Sequence, residues 1–215
     1  PAMRTGVIVA GGYATRFDGG DKAVACVAGT PMIRRVATAV GPLVDDLIVN
    51  ARTEQRPALD EALDGLPFSY RYAFDEVPDK GPLAGIDAGL SATDAEYTLV
   101  VACDMPFVEP TFVELLFDRA ADRDAAIPVE RCDDGTWLQP LQAVYHTETM
   151  HRATGTALER GVDNPAAVVA DLDYERVVVP DATDGNDSWT LRNVNTAEEL
   201  REAERRLPDA RPPDR

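Results

Sequence analysis

The chain has 215 residues, 45% of them apolar, and 21 basic against 38 acidic side chains give a formal net charge of −17. That length and apolar content suit one domain with a real core. The acidic field repels duplex nucleic acid and anionic membranes, and no apolar run approaches the roughly 20 residues that span a bilayer, so neither is an expected partner.

In chain order, the strand-type run Val7-Ile8-Val9-Ala10 stops at Gly11-Gly12 and passes into a glycine-rich polar loop that delivers Arg16 and Lys22. Thr30-Pro31 then reads as a helix start, a hydroxyl cap followed by proline, with Met32, Ile33, Val36 and Val40 at helical spacing up to Gly41-Pro42. A second strand is expected over 46–50, a helix over about 54–63 and a third strand over 69–74, closed by Asp75. Gly81 to Leu90 reads as a helix of small residues that permits close approach to a sheet or ligand. Tyr97 to Ala102 is the most apolar run and predicts a central strand buried on both faces, ending in Cys103-Asp104-Met105-Pro106. Pro110 to Ala121 predicts a helix, and 125–129 and 141–145 predict strands around a polar turn at Asp133-Asp134-Gly135. Thr147 to Arg160 reads as a helix stopped at Gly161, 176–179 as a late strand and Asp181 to Ser188 as a solvated loop. Thr196 and Glu199 form a capping-box pattern that opens a last helix to Leu207.

Strand and helix alternating at short loop lengths predict an α/β fold, a single doubly wound and mostly parallel sheet with helices on both faces. One domain is expected over 3–207, with 208–215 as a frayed tail and Pro1-Ala2 outside the fold. The N-terminus lacks a signal-peptide layout, which together with the absent apolar span points to the cytoplasm. Lys22 and Lys80 are the only lysines. So acidic and lysine-poor a composition points to a halophilic source. Cys26, Cys103 and Cys132 are widely spaced and form no CxxC pair, so neither a disulfide framework nor a zinc site is indicated. His146 and His151 are five apart and fail the i,i+4 spacing of two ligands on one helical face.

Chemistry concentrates after the strands, because ligands of open α/β sheets collect beyond the strands' carboxyl ends. The Gly11-Gly12 loop lets backbone N–H groups approach an anion, and Arg16 and Lys22 neutralise it. Asn50, Asp75 and Asp104 follow the later strands. A carboxylate ending an apolar strand needs a partner, and beside a phosphate cradle that partner is Mg²⁺, which makes Asp104 the metal ligand. The competing reading makes Asp104 the cap of the following helix. The loop spacing is neither GxxxxGK[ST] nor GxGxxG, so the P-loop and dinucleotide fingerprints both fail.

The series Val9-Ala10-Gly11-Gly12-x-x-x-Arg16, Asp21-Lys22, Gly29-x-Pro31, Asp75, Gly81-Pro82-Leu83-Ala84-Gly85, Cys103-Asp104-Met105-Pro106-Phe107, Gln139-Pro140-Leu141 and Asn193-Val194-Asn195-Thr196 resembles the molybdenum cofactor guanylyltransferase family in order and over nearly the whole chain. The resemblance implies a Rossmann-like nucleotidyltransferase fold of the nucleotide-diphospho-sugar transferase type. It also implies transfer of GMP from Mg-GTP to the terminal phosphate of molybdopterin, with release of pyrophosphate. Carried over, Val9, Ala10, Gly11, Gly12, Lys22, Asn50, Asp75 and Asp104 would form the GTP site, with Asp104 on Mg²⁺, while Gln139, Asn193 and Asn195 would face the pterin. Arg16, Lys22 and Asp104 would carry catalysis, and molybdenum-insertion proteins and apo-molybdoenzymes would be the protein partners. The loop departs from the commoner Arg-Met-Gly version by reading Arg16-Phe17-Asp18-Gly19-Gly20. Rival readings are a cytidylyltransferase or another small phosphate-acceptor nucleotidyltransferase of the same fold, and a non-catalytic GTP-binding assembly factor.

Overall fold

A computed structural model describes residues 2–12, 21–75, 81–132, 135–179 and 189–207, the side chains of 131 and 132 excepted. Strand β1 (Arg4–Val9) opens the chain, and a 3₁₀ turn over Lys22–Val24 leads to a ribbon of β2 (Cys26–Val27) and β3 (Thr30–Pro31). Helix α1 (Met32–Val40), β4 (Asp46–Ala51), α2 (Arg56–Leu63), β5 (Arg71–Phe74), α3 (Gly81–Ser91) and β6 (Tyr97–Ala102) follow. The second half holds α4 (Pro110–Ala120), β7 (Ala125–Cys132), β8 (Gly135–Leu138), β9 (Gln142–His146), α5 (Thr147–Glu159), α6 (Pro165–Val169), β10 (Tyr174–Val178) and α7 (Ala197–Arg206).

The main sheet runs β10-β7-β9-β6-β1-β4-β5, with β8 paired to β7. Strands β5, β4, β1 and β6 are parallel neighbours, while β9 is antiparallel to both β6 and β7. The sheet is mostly parallel, as the alternation predicts. From β1 the chain winds outward through β4 to β5 and then returns to lay β6 on the other side of β1. A crevice opens at such a reversal beyond the carboxyl ends of the two strands. Val9 lies opposite both Asn50 and Ala102, so the ends of β4, β1 and β6 are level around it.

Alternate residues feed two cores, as a sheet covered on both faces requires. Ile8, Val49, Leu99 and Val101 pack with Ile33 and Val36 of α1, Leu59 of α2 and Leu116 of α4. Val7, Val9, Ile48 and Val100 pack on the other side with Leu83 and Ile86 of α3, Met150 of α5 and Val169 of α6. No helix among the described residues is long and apolar enough to cross a membrane.

Several details differ from expectation. Thr30-Pro31 forms β3 rather than a helix start: Ala28 and Gly29 at positive φ (48° and 74°) make a two-residue turn that folds Thr30 back onto Val27. Pro31 becomes the N-cap of α1 and gives no side-chain cap. Gly135 begins β8, a strand not foreseen, and α6 was equally hidden in five residues. Between the pairs Ala126–Val144 and Val129–Leu138, β7 advances three residues and its partner six; Gln139 N–H still donates to Pro128 O at 2.9 Å, and the excess forms a turn through Pro140-Leu141 in which Gln142 N–H donates to Gln139 O at 3.2 Å. The bulge turns toward β6, and Ala102 N–H donates to Leu141 O at 2.9 Å. The Asp133-Asp134 turn residues, the Asp181–Ser188 loop, Arg16 and the 208–215 tail lie outside the described residues.

Candidate active site

At the crevice Gly11 and Gly85 provide the space. A Cβ on Gly11 would stand 2.3 Å from Asp75 Oδ2, and one on Gly85 would stand 2.3 Å from Asn50 Oδ1, so neither position admits a side chain without movement. Asn50, at the end of β4 and fully buried, donates from Nδ2 to Ala73 O (3.2 Å) and Asp75 Oδ1 (2.7 Å). Its Oδ1 is buried with no hydrogen-bond partner among the described residues. Burial raises the Asp75 pKa, and the Asn50 hydrogen bond and the Arg52 charge only partly offset it.

The turn after β1 is held from below. Gln55, buried in the 3₁₀ turn after β4, donates to Ala10 O (3.0 Å) and Asp21 Oδ2 (2.8 Å), and Arg52 Nη1 donates to Gly11 O (3.2 Å). Asp21 caps the 3₁₀ turn of Lys22 by accepting from Ala23 N–H at 3.1 Å. Lys22 is thereby aimed across the crevice, where its ammonium forms an ion pair with Asp104 and donates to Asn195 Oδ1 at 2.5 Å. Asn193 Nδ2 donates to the other Asp104 oxygen at 2.9 Å, and Val194 N–H donates to Asp104 O at 2.9 Å. Thr196 and Glu199 then close the expected capping box, fixing the Asn193–Asn195 segment to α7.

One cleft of about 420 Å³ is lined by Val9, Ala10, Gly11, Gly12, Lys22, Asn50, Asp75 and Asp104, together with Gly81, Gly85, Cys103 and Leu141. Asn193 and Asn195 reach it through Asp104 and Lys22. Gln139 is not among the lining residues; its Nε2 donates to Glu130 Oε2 at 2.8 Å. Asp104 does not cap α4, whose N-cap is Glu109, because its carboxylate is turned to Lys22 and Asn193. Sequence reasoning missed Arg52 and Gln55, which no motif marks. For Gly85 the signal was available in the glycine spacing of α3. Burial and then the Asp104 charge push the Cys103 thiol far above its ordinary range, so this cleft residue remains a neutral thiol.

Residues 6–177 match the family described as MobA-like NTP transferase domain. A probable molybdenum cofactor guanylyltransferase of Natronomonas pharaonis is 43% identical over 95% of this chain and 98% of its own length. The chain belongs to the molybdenum cofactor guanylyltransferase family. A second member of that family, a molybdenum cofactor guanylyltransferase from Desulfosudis oleivorans, is 32% identical over 93% of this chain and 94% of its own. Two solved structures share the fold. Molybdopterin-guanine dinucleotide biosynthesis protein A of Archaeoglobus fulgidus has a TM-score of 0.73 at 24% identity and covers 94% of this chain and 97% of its own. The 4-diphosphocytidyl-2C-methyl-D-erythritol synthase of Anaerococcus prevotii reaches 0.76 at 14% identity, each chain covered to 95%. As a guanylyltransferase family member the protein is a nucleotidyltransferase, and its cleft is the candidate site of that chemistry.

Proposed function

We propose that the protein transfers GMP from Mg-GTP to the terminal phosphate of molybdopterin, releasing pyrophosphate and forming the guanine dinucleotide cofactor. The observation that carries this reading is the polarity of the cleft. The Asp75 carboxylate, held against Gly11 and Asn50, stands on the β4–β5 side of the cleft, and the Lys22–Asp104 pair stands beyond β6. Guanine presents adjacent N–H donors on its pairing edge, which an acceptor-only carboxylate matches, whereas adenine and cytosine place an acceptor there. Asn50 Oδ1, left without a partner, suits a ribose hydroxyl. The triphosphate then extends toward Lys22 and the Gly11-Gly12 turn.

The acceptor's phosphate oxygen is already ionised and needs no general base. It attacks the α-phosphorus in line; the new P–O bond forms as the α–β bridging P–O bond breaks, and the electron pair leaves with pyrophosphate. Lys22, with Arg16 from outside the described residues, stabilises charge on the phosphoryl oxygens, and Asn193 and Asn195 orient the incoming phosphate.

Mg²⁺ fits the donor set. Mg²⁺ is ordinarily held by one or two carboxylates plus substrate phosphates, and Asp104 presents one carboxylate to the cleft. Asp104 would hold it, and the ion would neutralise the triphosphate charge. The product would pass to molybdenum-insertion proteins and apo-molybdoenzymes. Incubation with each nucleoside triphosphate, Mg²⁺ and molybdopterin in high salt tests the reading. Pyrophosphate and the dinucleotide should form with GTP; release only with CTP, or binding of GTP without release, would overturn it.

A further inference from the structure

Beyond the cleft, the β7–β8 hairpin carries an unexplained side chain. Trp137 is 61% exposed, one of three large apolar residues left so open among the described residues. Directly opposite it in the ladder is Glu130, on the same face of the hairpin. Gln139, two residues along on that face, donates to the Glu130 carboxylate and so fixes it beside the indole.

The bulge decides where this pair stands. β9 runs antiparallel to β6 with Val101 opposite Gln142, and the next contact is Ala102 N–H to Leu141 O. The register of β7 carries past the bulge: Ala126 is opposite Val144, which is itself opposite Leu99, so the Val129–Leu138 pair is level with Ala102 at the end of β6 and the Glu130–Trp137 pair is one residue farther. The hairpin thus stands over the end of β6, on the side of the cleft away from Asp75. Gln142 donates to Thr190 Oγ1 at 3.0 Å, which brings the segment leading to Asn193 and Asn195 against this same side.

We propose that Trp137 and Glu130 form the binding platform for the fused-ring part of the acceptor, a pterin-type heteroaromatic with an aminopyrimidinone edge. The indole stacks on the ring system, and the Glu130 carboxylate accepts from the ring amide and exocyclic amino group. Gln139 is a positioning residue for Glu130. The proposal rests on the guanylyltransferase reading for its choice of pterin. A small planar ligand is favoured over a protein surface because the platform stands level with Cys103, beside the end of the strand that delivers Asp104.

The test uses the full chain, with neopterin monophosphate as a stable probe and molybdopterin as substrate. In calorimetric titrations Trp137→Ala should weaken probe binding about tenfold or more, within the range for loss of a stacking aromatic, and Trp137→Phe should restore most of it. Glu130→Gln should weaken it similarly. All three variants should bind GTP as the parent does and keep its melting temperature, since the side chains lie at the surface. In turnover the KM for molybdopterin should rise while the KM for GTP holds. Unchanged probe affinity in Trp137→Ala overturns the platform, as does an equal loss for GTP. So does loss of binding to an apo-molybdoenzyme with pterin affinity intact, which would make Trp137 a protein contact. Should Trp137-dependent pterin binding be found without GMP transfer, the platform stands and the proposed function falls. Should transfer proceed with an unchanged KM in Trp137→Ala, the platform alone falls.

Discussion

Lys22 and Asp104, 82 positions apart, meet as an ion pair across the reversal between β1 and β6, with side chains only 18% and 12% exposed. Each is the other's counter-charge across the cleft. Lys22→Ala or Asp104→Asn should lower pyrophosphate release at least about tenfold, or about 1.4 kcal/mol of barrier. Each single change should also cost about 2 kcal/mol of stability, below the range for fully buried pairs because water reaches the cleft. The double variant Lys22→Met/Asp104→Leu should recover the melting temperature but not activity. Full turnover in a folded single variant would refute the assigned roles.

The two close-approach glycines give a sharper test of geometry. Gly85→Ala drives a methyl toward Asn50 Oδ1 and should cost about 1–3 kcal/mol, some 2–4 °C per kcal/mol in a chain of this size. Adding Asn50→Ser removes the obstructing oxygen and should return part of the lost melting temperature. If the second change only adds to the loss, the collision is not the cause.

Asp75 predicts a pH dependence. Its pKa is raised above the ordinary 3.8, with burial the largest cause, so the folded state holds a proton more tightly than the unfolded one. Ionised Asp75 therefore costs stability above its folded pKa, and that cost is relieved as pH falls through the folded value toward 3.8. Asp75→Asn should melt higher than the parent at neutral pH, with the gap narrowing in that window. Over the same window the parent's affinity for GTP should fall, because a protonated carboxyl no longer accepts two N–H groups. Titration calorimetry against pH reads it; a flat GTP affinity would remove Asp75 from the base-binding role.

A net charge of −17 on 215 residues makes the fold self-repelling. The Debye length shrinks from about 10 Å at 0.1 M salt to about 3 Å at 1 M, so the melting temperature should rise over that interval. A fall would mean that exposed ion pairs such as Arg119–Glu175 and Arg71–Asp46 outweigh the net repulsion.

Much of this was legible in the sequence. Long apolar runs mark β1, β4 and β6 because they are buried on both faces, and strand ends at a chain reversal are where ligands gather, which brought Gly11, Asn50, Asp75 and Asp104 together on paper. What stayed hidden is set by pairing rather than by pattern. The β2–β3 ribbon has two residues per strand, and its turn rests on Ala28 at positive φ, which composition does not announce. Strand β8 is only four residues long and mostly exposed, too short for its alternation to be read, and the bulge at Pro140-Leu141 exists only as a register shift between partners. Gln55 and Arg52 brace the first turn through backbone oxygens, contacts that leave no spacing to read.

The Lys22–Asn195 hydrogen bond spans 173 positions, and the asparagine is fastened by the cap of α7, whose Ala203 packs with Val27 of the early ribbon. Synthesis therefore delivers Gly11, Lys22 and Asp75 long before the Asn193–Asn195 wall of the cleft. Domains emerge N-terminus first at about 5–20 residues per second, leaving a nascent chain that carries Gly11, Lys22 and Asp75 for many seconds without Asn195. Ribosome-arrested chains that stop before Thr196 should lack catalytic activity, and chains carrying α7 outside the exit tunnel should gain it. The cap of α7 thus joins Lys22 to a wall of the cleft that is synthesised 173 positions later.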